Sequence, residues 1–115
     1  MQALLSSIAL FVFLMPASAA GPVQARAAMR AAAETKEITI DNFTFKTPEL
    51  TVAAGTVVTW VNRDDMPHTV VGARKEFASP VLDTDQRFSF TFTTPGTYEY
   101  YCSIHPRMTG RVIVR

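Results

Sequence analysis

One cysteine, two histidines and one tryptophan in 115 residues set the first limits on this chain. A lone cysteine cannot close a disulfide within the chain, so packing must hold the fold, and a chain of this length supplies one core and not comfortably two. Eleven basic against ten acidic residues leave a net charge of +1, too weak a field to argue for nucleic acid or an anionic membrane surface. There is no internal repeat. Nor is there an apolar run of the roughly 20 residues that a membrane-spanning helix needs.

What is present divides the chain into three. Ala3 to Met15 is apolar and uncharged, and Pro16-Ala17-Ser18-Ala19 follows with the small residues of a cleavage site. Residues 1–19 therefore read as a secretory signal cleaved after Ala19, although no Lys or Arg precedes the apolar run. Residues 20–35 are Ala-rich without alternation and read as a tether. Residues 36–115, where β-branched residues and phenylalanine concentrate, form the domain. Export to the periplasm would place Cys102 in an oxidising compartment. There an odd cysteine pairs between chains, stays free and reactive, or is held by a metal.

The domain has the texture of strands. Ile38 and Ile40 alternate with Thr39; Phe43 and Phe45 follow after a parity switch at Asp41-Asn42 that marks a turn. Thr56 to Asn62 is apolar on both faces near Trp60 and predicts a well-covered central strand. His68 to Val71 reads as a short strand, residues 72–85 as a loop, and Phe88, Phe90 and Phe92 as one strand face. Tyr98, Tyr100 and Cys102 share another face, which turns Cys102 inward, and Val112 and Val114 close the chain. The expectation is an all-β, Greek-key antiparallel β-sandwich of about seven to eight strands.

The chemistry gathers in Tyr98 to Met108, which holds the thiol of Cys102, the imidazole of His105 and the thioether of Met108 in the spacing C-x2-H-x2-M. His68, behind Met66-Pro67, is the other histidine. Each taken alone has an ordinary explanation: a structural histidine, a buried inert thiol, a core methionine. In combination, one thiolate and two imidazoles suit copper or zinc, and a thioether adds a soft, weak ligand that argues for copper.

From about Glu37 to Arg115 the chain resembles a cupredoxin, most of all the amicyanin group, with plastocyanin and pseudoazurin further away. The resemblance rests on Thr47 to Leu50, Gly55 to Asn62 with Trp60, Met66-Pro67-His68, Gly96 to Cys102, His105-Pro106, Met108 and the Gly110 to Val114 ending. It implies that His68, Cys102, His105 and Met108 bind one type 1 copper per chain. The function it implies is that of an exported mononuclear blue copper protein, a one-electron carrier rather than an enzyme. The alternative is a periplasmic copper carrier or buffer with the same ligands. Two histidines exclude a single-chain multicopper enzyme such as a nitrite reductase. The expected partners are redox proteins (a dehydrogenase, cytochrome or oxidase), and no nucleic acid or small-molecule substrate; a membrane enters only if the signal segment stays uncleaved. A monomer is expected. Partners would dock near His105, through a rim of Met66, Pro67, Ile104 and Pro106, with Tyr101 as a second route to the thiolate.

Two positions depart from that family. Thr69 stands where Asn usually follows the first histidine, and a Thr69–Ser103 hydroxyl contact is the expected substitute. Ile104 stands where amicyanins have Pro, which returns a backbone N–H near the Cys102 sulfur. A bond from that N–H would raise the reduction potential, and Ile104→Pro would lower it.

Overall fold

The computed structural model describes residues 34–115, together with Phe11 and Val12. The expectations of a signal at 1–19 and a tether at 20–35 fall almost wholly outside the described residues; Thr35, the last residue of the expected tether, opens the first strand. The strands are β1 (Thr35–Asp41), β2 (Thr44–Phe45), β3 (Glu49–Val52), β4 (Thr56–Asn62), β5 (Val71–Gly72), β6 (Arg87–Phe92), β7 (Gly96–Tyr101) and β8 (Thr109–Val114). No helix occurs among the described residues.

The strands form two four-stranded sheets, in the orders β2-β1-β4-β6 and β3-β8-β7-β5. The all-β sandwich expected from alternation is present, but its sheets are mixed: β1 pairs with β4, and β3 with β8, in parallel. The chain leaves the first sheet after β2, runs through β3 in the second, and re-enters the first as β4 beside β1. That crossover fixes the parallel direction, and alternation of side chains carries no record of it.

β4 is covered on both sides as its composition demands, with Val58, Trp60 and Val61 fully buried. Trp60 is the hub of the core. Its ring meets Tyr100 edge-on at 5.3 Å and stacks on Phe77 at 5.7 Å, with Phe88 at 5.9 Å and Phe92 at 6.3 Å. Aromatic pairs of this kind add about 0.5–1.5 kcal/mol each beyond area burial, so the two sheets are joined most firmly through the middle. β7 and β8 pair in register, Tyr100 opposite Gly110, and the Tyr100 ring lies so close over Gly110 that a Cβ there would overlap it.

That rigid block presents three segments at one end. The β1–β2 hairpin turns through Asn42 and Phe43, both at positive φ (49° and 55°), the pattern of a two-residue turn whose twist matches the flanking strands. The chain leaving β4 runs from Arg63 to Val70 before β5. The Cys102–Met108 loop joins β7 to β8.

Candidate metal centre

Each candidate side chain reaches this end by its own local reason. Cys102 continues the inward face of Tyr98 and Tyr100 just past β7 and is fully buried. Its N–H donates to Met108 O at 3.0 Å, and Met108 N–H donates to His105 O at 2.9 Å. These bonds fold the loop back on itself, so Met108 joins Cys102 in the core while His105 stays half-buried at the rim. His68 is fully buried.

The segment carrying His68 differs from the expected strand. Only Val71 and Gly72 are strand; His68 forms an isolated bridge with Leu82, the two backbones exchanging bonds of 3.0 and 2.7 Å. Val70 N–H donates to Ser79 Oγ, and Ser79 N–H returns to Val70 O. The loop thus supplies the pairing that a neighbouring strand would have given, which is why His68 is rigid outside a regular sheet.

The donor atoms of His68, Cys102 and His105 all lie within 4.8 Å of one another. Cys102 Sγ is 3.8 Å from His68 Nδ1 and 3.7 Å from His105 Nδ1. Metal–sulfur and metal–nitrogen bonds of about 2.3 and 2.0 Å separate the two donors by about 3.7 Å at a trigonal angle and about 3.5 Å at a tetrahedral one. Both sulfur–nitrogen spacings therefore fit a first-row metal shared by the thiolate and each imidazole, with the buried Met108 thioether as a further soft donor.

The thiolate form is favoured. Burial pushes the Cys102 thiol up, but the Thr69 N–H, the two imidazoles and the His105 N–H together outweigh it and bring the thiol down to about 6. Thr69 N–H lies within hydrogen-bond distance of the sulfur, at 3.4 Å. Ile104 N–H, expected there, forms no bond to the sulfur, and the Ile104 side chain faces solvent. The basis for a lowered potential in Ile104→Pro is therefore missing. The Thr69–Ser103 contact is present at 2.7 Å, and Ser103 N–H also donates to Thr69 Oγ1 at 2.8 Å.

Two supporting residues were not legible in the sequence. Asp64, in the charged run Arg63-Asp64-Asp65, is buried, and its Oδ2 accepts from His68 Nε2 at 2.8 Å and from Phe43 N–H at 3.0 Å. With Nε2 as the donor to Asp64, His68 Nδ1 is left free to bind a metal. The Phe43 N–H, then the His68 ring, hold the Asp64 carboxyl well below the usual carboxylate range. Asn62, also fully buried, donates to Met66 O and Leu82 O, both at 2.8 Å, and accepts Asp64 N–H at 2.9 Å. Neither had a signal for this role: Asp64 stands in a charged run that most often marks a solvated turn, and Asn62 reads as the polar last residue of the Thr56–Asn62 strand.

Phe43 is the third unforeseen residue. Alternation would have buried it with Phe45, but the hairpin turn leaves it 47% exposed. Its ring lies edge-on to His105 at 4.9 Å and to His68 at 5.7 Å. Met66 and Ile104, expected in an apolar rim near His105, are also exposed.

Comparison with known proteins follows the same lines. Residues 32–115 match the family of copper binding proteins described as the plastocyanin/azurin family. The chain is 39% identical to amicyanin-alpha of Methylorubrum extorquens over 120 aligned residues covering 99% of each chain. It is 44% identical to amicyanin of Paracoccus denitrificans over 82 residues, 67% of this chain and 63% of that protein. Among solved structures, an oxidised amicyanin point mutant superposes with a TM-score of 0.66 at 38% identity, covering 69% of this chain and 80% of that one. A purple cupredoxin from Nitrosopumilus maritimus gives 0.66 at 34% identity, over 69% of this chain and 98% of that one.

Proposed function

The chain belongs to the plastocyanin/azurin family of copper-binding proteins, and from that premise we propose how it carries electrons: one type 1 copper is held by His68, Cys102, His105 and Met108. The observation that carries this reading is the convergence of one sulfur and two imidazole nitrogens, within 4.8 Å, at the buried end of a rigid sandwich. When bound, copper supplies a one-electron couple between Cu(I) and Cu(II).

The protein's part is to hold the donors still. His68 is fixed by Asp64 and by the Leu82 backbone, and Cys102 by β7 and Met108 O. A donor set that need not move when the charge on the metal changes keeps the rearrangement small, and electron exchange fast. His105 is the half-buried member of the three, so its imidazole edge is the port through which a redox partner exchanges electrons. Phe43, Met66 and Ile104 give that port an apolar rim, which excludes water when a partner protein docks. The residues do no bond-making chemistry, and the protein works as a periplasmic carrier, a monomer, after loss of residues 1–19.

The test is to add Cu(II) to the purified protein and record visible and electron paramagnetic resonance spectra. An intense blue thiolate-to-copper band that vanishes in Cys102→Ser is expected, and its absence from the intact copper-loaded protein would refute the ligand set. Electron self-exchange that outpaces copper loss to a chelator is the expected mark of a carrier of electrons rather than of copper.

A further inference from the structure

The Cys102 sulfur has two donors on a single neighbouring residue. Thr69 N–H lies 3.4 Å from Sγ, and the Thr69 hydroxyl oxygen lies 3.8 Å from it. The same hydroxyl accepts Ser103 N–H at 2.8 Å and sits 2.7 Å from Ser103 Oγ, a contact in which either oxygen can donate. A threonine hydroxyl carries one hydrogen and two lone pairs. Ser103 N–H takes one lone pair, so the remaining contact has two settings. In one, Thr69 Oγ1–H donates to Ser103 Oγ, and the sulfur receives nothing from the Thr69 side chain. In the other, Ser103 Oγ–H donates to Thr69 Oγ1, and the Thr69 hydrogen turns to Sγ as a second donor.

We propose that the Thr69–Ser103 hydroxyl pair is a two-position hydrogen-bond relay that tunes electron density on the Cys102 sulfur, and through it the reduction potential of the bound copper. The proposal deepens the ligand set above and rests on Cys102 binding the metal. Thr69 is buried while Ser103 is exposed, so a bond inside the site is set by a hydroxyl at the surface. No proton changes owner in either setting: each hydrogen rotates with its own oxygen, and the electron is exchanged with the redox partner. A sulfur richer in charge accepts an O–H more strongly. The reduced site therefore favours the setting with two donors, and the oxidised site the setting with one.

Both residues also tie the His68 segment to the Cys102 loop, and a mere tie is the rival account. Removing either hydroxyl breaks the same 2.7 Å contact, so a tie predicts that both variants change the copper in the same direction. The relay predicts opposite directions. In Ser103→Ala the Thr69 hydroxyl loses its competing acceptor and points at the sulfur permanently. In Thr69→Val the sulfur loses that donor and keeps its backbone N–H contacts.

The experiment measures reduction potential and the energy of the thiolate-to-copper band in the copper-loaded parent, Ser103→Ala, Thr69→Val and Thr69→Ser, with unfolding midpoints of the metal-free forms beside them. Ser103→Ala should shift the Cu(I)/Cu(II) ratio against a fixed mediator about threefold toward Cu(I), the size of one weak hydrogen bond. That is a rise of roughly 30 mV at about 59 mV per tenfold for one electron, with the band moving to higher energy. Thr69→Val should move both quantities the other way by a similar amount, and Thr69→Ser should restore the parent values. Shifts of the same sign in Ser103→Ala and Thr69→Val, tracking the unfolding midpoints, would overturn the relay in favour of the tie, and so would no shift in either. If Thr69→Val fails to take up copper, Ser103→Ala decides: a rise supports the relay, a fall or no change sinks it. A blue band that survives in Cys102→Ser would instead bring down the ligand set itself.

Discussion

Replacing Asp64 should damage this protein more than any exposed charge, and the damage can be worked out bond by bond. The carboxylate accepts from His68 Nε2 at 2.8 Å, from Phe43 N–H at 3.0 Å and, through Oδ1, from Asp65 N–H at 2.9 Å. In Asp64→Ala the Asp65 amide can turn to water, since that residue is exposed. The fully buried His68 ring cannot, and losing a charge-assisted bond to it costs about 1.5–3 kcal/mol. The part-buried Phe43 amide adds about 1 kcal/mol, for a total of roughly 2.5–4 kcal/mol out of the 5–15 kcal/mol typical of a whole domain. With a urea slope of about 1–2 kcal/mol per molar, the midpoint of the metal-free protein should fall by roughly 1–4 M. Copper affinity should fall about 10–100-fold, as is usual when the group orienting a ligand histidine is removed. Asp64→Asn can place its single oxygen at the Oδ2 position and keep the bonds to His68 and Phe43. It should therefore lose only about 1 kcal/mol and retain most of its copper affinity. If Asp64→Ala unfolded within about 1 kcal/mol of the parent and held copper as tightly, the claim that this carboxylate positions His68 would be wrong.

Further expectations concern residues around the same end. Asn62→Asp keeps the shape but sets a carboxylate against Met66 O and Leu82 O, which now receive Asn62 Nδ2–H; it should cost about 3 kcal/mol or more in urea unfolding, and a change near zero would mean the amide is not holding the loop. Gly110→Ala forces a methyl into the Tyr100 ring and should lower the unfolding midpoint by the equivalent of about 1–3 kcal/mol, with recovery when Tyr100→Leu is added; a silent substitution would refute the close approach. Phe43→Gly relieves a left-handed backbone at a cost saving of about 1–2 kcal/mol and forfeits an edge-on contact of similar size, so stability should hardly move. Copper loss to a chelator should nonetheless quicken, because the ring over His105 and His68 is gone; an unchanged release rate would show that Phe43 does not cover the site.

Much of the site was readable in the chain because metal ligands are rare residue types that few other roles explain. One cysteine and two histidines left little choice, and the alternation of Tyr98, Tyr100 and Cys102 gave the inward direction. The strands were readable for the same periodic reason. Residues with several common roles were not: Asp64 looks like a turn residue, Asn62 like the polar end of a strand, and Phe43 looks like core until the hairpin's two positive φ angles turn it outward. Counting along the loop puts the Ile104 amide near the sulfur, but counting does not say which way a peptide faces; the N–H at 3.4 Å from the sulfur belongs to Thr69, 33 positions upstream.

The sequence by itself determined the fold class, through the period of its apolar residues, and the donor inventory, through the scarcity of sulfur and imidazole. It could not determine direction or distance between segments far apart in the chain. The parallel pairings of β1 with β4 and β3 with β8 follow from a crossover between sheets. The separations of 3.8 and 3.7 Å between the Cys102 sulfur and the two imidazole nitrogens follow from three loops closing over one end of a packed core. Local pattern fixes which face a side chain takes, whereas only the packed sandwich fixes what stands opposite it.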